Sequence, residues 1–110
     1  MHGGGHSPAE PFEHFCLMVV SPNSWKDLMD ILRQDIDKTR QEEPNCLSFR
    51  VGSIVGEPFS ITLRTTWTSK ASFDAHRSDT SYQTWKTFAA DDAHLLHVNE
   101  VAISNSLMNL

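Results

Sequence analysis

Two residues near the middle of the chain carry the side chains best suited to acid–base and anion chemistry. His76 has an ordinary pKa close to neutrality, so its imidazole can accept or return a proton near pH 7. Arg64 carries a permanent charge that can hold an oxyanion or a carboxylate. His76 is therefore the candidate proton acceptor and Arg64 a candidate substrate-binding residue. A structural interpretation stays open for each residue. His76 could only form a hydrogen bond with a loop, and Arg64 could lie in the interface between subunits.

Three aromatic residues accompany this pair and could form an apolar pocket. Trp67 closes a strand-like segment, on the same face as Leu63 and Thr65. Tyr82 and Trp85 are three residues apart in a segment with helical spacing. All three are candidate substrate-binding residues, although rings at such spacing are also typical of a protein core.

The elements that must position these residues follow from hydrophobic periodicity. A continuous apolar run predicts a strand at 12–20, and apolar residues three and four apart predict a helix from Trp25 to about Glu43, capped by Ser24. Strands follow at 45–55 and 59–67, then a helix capped by Ser69 that ends at Arg77. A further helix begins at Ser78 or Asp79, and a last strand covers 95–103.

This order predicts an α+β domain of the ferredoxin-like βαββαβ type. Its four strands form an antiparallel sheet with the helices on one face. The first strand is apolar on both faces. Phe15, Leu17 and Val19 lie on one face, and Cys16, Met18 and Val20 lie on the other. Because the helices cover only one face, a second copy packed sheet to sheet is expected to cover the other. The sequence thus predicts a homodimer.

Composition narrows the range of partners. The chain has 110 residues, 39% of them hydrophobic, and a net charge of −5, which suits one globular domain and disfavours nucleic acid. No apolar run is long enough to span a membrane, and no secretory signal opens the chain, so a cytoplasmic location is expected. The His- and Gly-rich residues 1–11 are expected to form a flexible tail before a domain at 12–110.

No metal site is expected. Cys16 and Cys46 have neither metal nor redox spacing and are interpreted as reduced thiols. His94 and His97 are three residues apart at the start of a strand, where their side chains point in opposite directions.

Three stretches resemble the antibiotic biosynthesis monooxygenase family of small dimeric α+β barrel proteins. They are TRQEEPNCLSF at 39–49, TWTSKASFDAH at 66–76 and SDTSYQTW at 78–85. The resemblance covers about residues 12–103 and implies a pocket between sheet and helices in each subunit. It also implies oxygenation of a phenolic, quinol or polyketide-type aromatic substrate with no cofactor, and places His76 where the family often has histidine.

The chain departs from that family pattern at two positions. Leu63 stands where cofactor-free oxygenases commonly have asparagine, and Cys16 stands where a second polar residue is often found. Cys16 is therefore included as a candidate substrate-binding residue. Trp85 and Lys86 replace the histidine that haem-degrading relatives use as iron ligand, so haem is not expected.

Three functions remain open. The first is cofactor-free oxygenation of a small aromatic molecule, which makes the chain an enzyme. The second is a non-oxidative decarboxylation, cyclisation or isomerisation in the same pocket. The third is a non-catalytic binding dimer, which a pocket closed by bulky side chains would favour. Because His76 is expected on a short exposed helix, its replacement is expected to change stability little.

Overall fold

The computed structural model describes residues 11–104, which form four strands and three helices. The expected tail at residues 1–11 lies almost entirely outside this range. Along the chain the elements are β1 (Phe12–Val20), α1 (Trp25–Glu42), β2 (Cys46–Gly52), β3 (Ser60–Trp67), α2 (Lys70–Arg77), α3 (Thr80–Ala89) and β4 (Leu95–Ser104).

The four strands form one antiparallel sheet in the order β2-β3-β1-β4. β1 pairs with β3 on one side and with β4 on the other, while β2 pairs with β3 and forms an edge. This strand order is that of a split βαβ arrangement and confirms the ferredoxin-like fold predicted from the sequence.

The helices pack on one face of the sheet and create the core. Every second residue of β1 is buried, and the buried set includes His14, Cys16 and Met18. Leu28 and Leu32 of α1 pack into the same cluster as Cys16 and Met18. The alternation follows from the two-residue period of a strand, which sends neighbouring side chains to opposite faces.

The other face of the sheet carries the second apolar set. Phe15, Leu17 and Val19 alternate with the core residues of β1 and are only partly buried. Arg64 lies on this face, with its guanidinium 5.7 Å from the centre of the Phe15 ring and its Nε 3.7 Å from Glu13 Oε1.

Two helix caps agree with the sequence and one does not. The Ser69 and Asp79 side chains accept backbone N–H groups at the starts of α2 and α3, as predicted. Ser24 makes no side-chain cap bond, because a 3-10 turn at Pro22–Ser24 leads into α1 and gives Ser24 a helical conformation. The prediction that Ser24 caps this helix was wrong.

The second strand is shorter than predicted. It covers Cys46–Gly52, and its pairing with β3 shifts register between Cys46 and Ser48. Leu47 falls in this bulge and is 58% exposed, so the simple alternation expected for this strand begins only at Ser48. Among the described residues, no helix is long and apolar enough to cross a membrane.

Candidate functional site

A small cavity lies between the sheet and the helices, at the residues singled out in the sequence. Its volume is about 10 Å³, room for about one water molecule. The lining residues come from β1, β2, β3 and all three helices and are His14, Asp35, Phe49, Leu63, Thr65, Phe73, His76, Tyr82 and Trp85.

His76 is the best-connected polar residue of this cavity. It lies on α2 and is only 2% exposed. Its Nδ1 donates to Glu43, at 2.9 Å from Oε1 and 3.0 Å from Oε2. Its Nε2 lies 3.7 Å from Asp35 Oδ2, so the imidazole stands between two carboxylates. The interpretation of His76 as a residue on an exposed helix face was wrong, because α2 turns this side chain inward onto Trp67 and Tyr82.

Two opposing effects act on the pKa of His76. Burial lowers the pKa, because an imidazolium loses its hydration. Asp35 and Glu43 raise it by more, and the result is a pKa above the ordinary value of 6.5. The two carboxylates therefore favour the charged imidazolium.

This shift predicts how stability depends on pH. A group whose pKa is raised by folding stabilises the fold fully below its unfolded pKa, and this contribution disappears as the pH rises through its folded pKa. The urea midpoint is therefore expected to fall as the pH rises above about 6.5, the ordinary value for histidine. His76→Gln should remove this component of the slope. A variant with the same slope as the original chain would show that His76 does not titrate as described.

Asp35 is the functional candidate that the sequence interpretation missed. It lies on α1 with no exposed surface. Its Oδ1 accepts hydrogen bonds from Thr39 at 3.4 Å and Ser81 at 3.2 Å, whereas its Oδ2 has no hydrogen-bond partner. A signal was present, because Leu28, Leu32, Asp35 and Thr39 follow one another on the buried face of the helix. A carboxylate in such a stripe is unusual without a partner or a role.

Buried polar atoms that lack hydrogen-bond partners lie at and beside the cavity. Three buried side-chain atoms have no hydrogen-bond partner in residues 11–104: Asp35 Oδ2, Thr65 Oγ1 and Trp67 Nε1. Asp35 and Thr65 line the cavity, and the Trp67 ring packs on His76 with 4.7 Å between ring centroids. Buried polar groups are nearly always paired, so the two such atoms on the cavity wall, Asp35 Oδ2 and Thr65 Oγ1, leave the cavity able to hydrogen-bond a polar group placed in it.

A second histidine, also missed from the sequence, closes the other side of the cavity. His14 of β1 stacks on Phe73 at 4.6 Å, and its Nε2 lies 3.2 Å from Glu100 Oε1. The hydrogen bond to His14 lowers the pKa of Glu100 to about 2, assisted by Lys86 and opposed by burial. His14 is therefore a second imidazole on the cavity wall, and its carboxylate partner Glu100 lies outside the cavity lining.

The structure separates the six residues nominated from the sequence. His76, Tyr82 and Trp85 line the cavity, and Trp67 packs against His76. Cys16 is fully buried in the adjoining core, where burial raises the pKa of its thiol to about 12. Arg64 is on the opposite sheet face, because it alternates with Leu63 and Thr65, and so does not meet His76.

Within residues 11–104, no group of three or more His, Cys, Asp or Glu side chains is placed to hold a metal ion. Cys16 and Cys46 are free thiols.

Comparison with known proteins adds the family. The model of the antibiotic biosynthesis monooxygenase family matches residues 17–87, well over half of the chain. The chain belongs to this family. The match includes α1, β2, β3 and α2, and hence Asp35, Glu43, Trp67 and His76. A search of the curated proteins found no significant match.

Solved structures support the same fold. A candidate antibiotic biosynthesis monooxygenase from Bacteroides thetaiotaomicron superposes with a TM-score of 0.77 at 13% identity, over 92% of this chain and 94% of the other. One from Nitrosomonas europaea gives a TM-score of 0.77 at 14% identity, over 93% of this chain and 96% of the other. A Mycobacterium tuberculosis protein gives a TM-score of 0.75 at 19% identity, over 86% of this chain and 93% of the other. At such identities the likeness shows the fold alone.

Proposed function

We propose that this family member is a cofactor-independent monooxygenase of a phenolic, quinol or polyketide-type aromatic compound, with Asp35 and His76 as its acid–base pair. The observation that carries the proposal is the group of unpaired polar atoms at a cavity with aromatic walls. Membership of the antibiotic biosynthesis monooxygenase family supports the reaction type.

The reaction needs only a base, an apolar shelter and dioxygen. Loss of a proton from an activated ring CH₂ gives a carbanion that is stabilised as a phenolate. This anion passes one electron to dioxygen, and the two radicals combine to form a C–O bond. The resulting hydroperoxide loses water and leaves a ketone, so that one CH₂ and one O₂ become one C=O and one H₂O.

The cavity residues fit these steps. Asp35 Oδ2 is buried and accepts no hydrogen bond within 3.5 Å, so it can receive the substrate proton. The imidazolium of His76, 3.7 Å from that oxygen, would balance the negative charge that develops and return a proton to the peroxide. Tyr82 and Trp85 provide the water-poor wall that protects the anion. No cofactor takes part in the proposed reaction.

A non-oxidative reaction is the second candidate, and Leu63 is the observation that favours it. Leu63 lines the cavity at the position where the oxygenases of the family commonly have asparagine. Proton removal by Asp35 and proton return from His76 would be enough to isomerise or cyclise an enolisable substrate. A purely binding dimer remains the third candidate, since bulky side chains leave the cavity a volume of only about 10 Å³.

Oxygen consumption distinguishes these candidates. The chain should be incubated with anthrone and with substituted hydroquinones after treatment with a chelator, and the oxygen uptake recorded with an electrode. We expect uptake above the spontaneous rate for at least one substrate, with one O₂ consumed per ketone formed. Conversion of a substrate without oxygen uptake would support the non-oxidative reaction. Binding without conversion would support the binding dimer.

The proposal includes a homodimer formed through the outer sheet face. The partly exposed Phe15, Leu17 and Val19 form an apolar strip there, and Val101 beside them is 45% exposed. We expect sedimentation at micromolar concentration to give twice the 12.4 kDa chain mass. Leu17→Glu should shift the equilibrium towards the monomer, whereas Thr87→Glu on exposed helix surface should not. A monomer mass for the unaltered chain would contradict this expectation.

A further inference from the structure

The cavity beside Asp35 is too small for the proposed aromatic substrate. At about 10 Å³ it cannot hold an aromatic ring, yet the proposed reaction takes place beside Asp35. A larger space adjoins it: an open groove of about 390 Å³ between α1 and β2, within the size range of small-molecule sites. The groove residues are Met29, Leu32, Arg33, Ile36, Asp37, Arg40, Phe49 and Val51.

Among the residues that the structure describes, Phe49 is the one that lines both spaces. It is half-buried on the edge strand β2, three residues from the register shift at Cys46, and makes no ring contact with another described aromatic residue. The opposite wall is held more firmly, because Phe73 and Tyr82 are buried and engaged in several ring contacts. Phe49 is therefore the side chain whose movement would join the groove to the cavity.

The rim of the groove carries more positive than negative charge. Arg33 and Arg40 lie seven residues apart on α1, hence on one face of the helix, and neither forms an ion pair with a described residue. Asp37 lies between them and is the only acid that lines the groove. In a chain of net charge −5, this excess of positive charge over an apolar floor suits an anion with a flat hydrophobic body.

We infer that this groove binds a planar aromatic anion, with its rings on Met29, Ile36 and Val51 and its anionic substituent towards Arg33 and Arg40. Phe49 is the movable partition through which the reacting end of the molecule reaches Asp35. The inference deepens the proposed function and rests on it only for the reaction beyond Phe49, because binding in the groove does not require turnover.

The charge recognition is tested with 2-naphthoate and isothermal titration calorimetry. The double variant Arg33→Gln/Arg40→Gln is expected to bind 2-naphthoate about tenfold more weakly, since each exposed cation contributes a modest part of the affinity. The neutral analogue 2-naphthamide should bind both proteins equally. The control Lys26→Gln/Lys70→Gln removes the same charge from exposed sites outside the groove and should leave the affinity within about twofold. Equal losses in both double variants, or no binding of 2-naphthoate at millimolar concentration, would overturn the inference.

The partition is tested by NMR of the His76 ring protons. Saturation with 2-naphthoate should shift the His76 Hε1 signal in the unaltered chain and in Phe49→Ala. Phe49→Trp should bind the probe in the groove but lose the shift, because the larger ring keeps the partition closed. A His76 signal that is unmoved in both the unaltered chain and Phe49→Ala would contradict access past Phe49. Intact binding and shifts without oxygen uptake would contradict only the proposed function.

Discussion

His76→Ala is expected to lower the free energy of unfolding by about 3–5 kcal/mol, the usual loss when one partner of a buried charged pair is removed. The imidazole is 2% exposed and stands between Asp35 and Glu43. Without it, the fully buried Asp35 carboxylate loses the one ion-pair partner it has among the described residues, and the Trp67 ring loses a packing partner. Urea unfolding at pH 6, where the histidine is charged, measures the effect.

A matched substitution on the same helix separates this effect from helix propensity. Asp74 is exposed and pairs only with Lys70, one turn earlier. Asp74→Ala should change the free energy of unfolding by less than about 0.5 kcal/mol. Equal stability of the His76→Ala variant and the unaltered chain would show that the ion-pair cluster does not stabilise the fold.

Asp35→Asn is expected to reduce the turnover of a true substrate by about 10²–10⁴-fold, the typical contribution of a positioned acid–base group. The amide has nearly the same shape as the carboxylate and can still accept from Thr39 and Ser81, so the cavity should keep its form. It cannot, however, accept the substrate proton at Oδ2. The loss should appear in kcat, while KM changes little, since a proton acceptor acts mainly on the chemical step.

The control for this variant is Asp30→Asn. Asp30 lies on the same helix but is exposed and pairs with Lys26. The Asp30→Asn variant should turn over substrate at the normal rate and unfold with the same free energy as the unaltered chain. If Asp35→Asn matched this control in kcat, the base would have to be sought elsewhere, with His14 as the next residue on the cavity wall.

The order of elements could be predicted because each carries its own local signal. The short apolar run of β1 and the alternation in β3 are strand signals, and the spacing of Leu28 and Leu32 in α1 reflects the period of a helix. Likewise, the side-chain oxygens of Ser69 and Asp79 accept hydrogen bonds from the backbone N–H groups of Ser72 and Ser81, which are only three and two residues away. The bulge at Leu47 was not predictable in this way, because it depends on pairing with β3, a partner strand that is distant in sequence.

The site could be predicted only in part, for the same physical reason. His76 and Trp67 were found because their residue types suggest chemistry, but their partners come from other elements. Glu43 reaches His76 across 33 positions of sequence, and Ser81 reaches Asp35 across 46. Arg64 was nominated because its residue type suggests anion binding, but residue type does not give the sheet face. It is adjacent to Leu63 and Thr65 in the strand, so its side chain points to the opposite face of the sheet.

The most direct test of the proposed reaction is the fate of isotopically labelled dioxygen. Anthrone should be incubated with the chelator-treated chain under ¹⁸O₂, and the anthraquinone formed should be analysed by mass spectrometry against a sample without protein. Direct oxygenation in the Asp35–His76 cavity predicts protein-dependent formation of anthraquinone that carries one ¹⁸O atom, and its loss in the Asp35→Asn variant. Product that is formed at the same rate without protein, or that carries no ¹⁸O, would contradict a monooxygenase function.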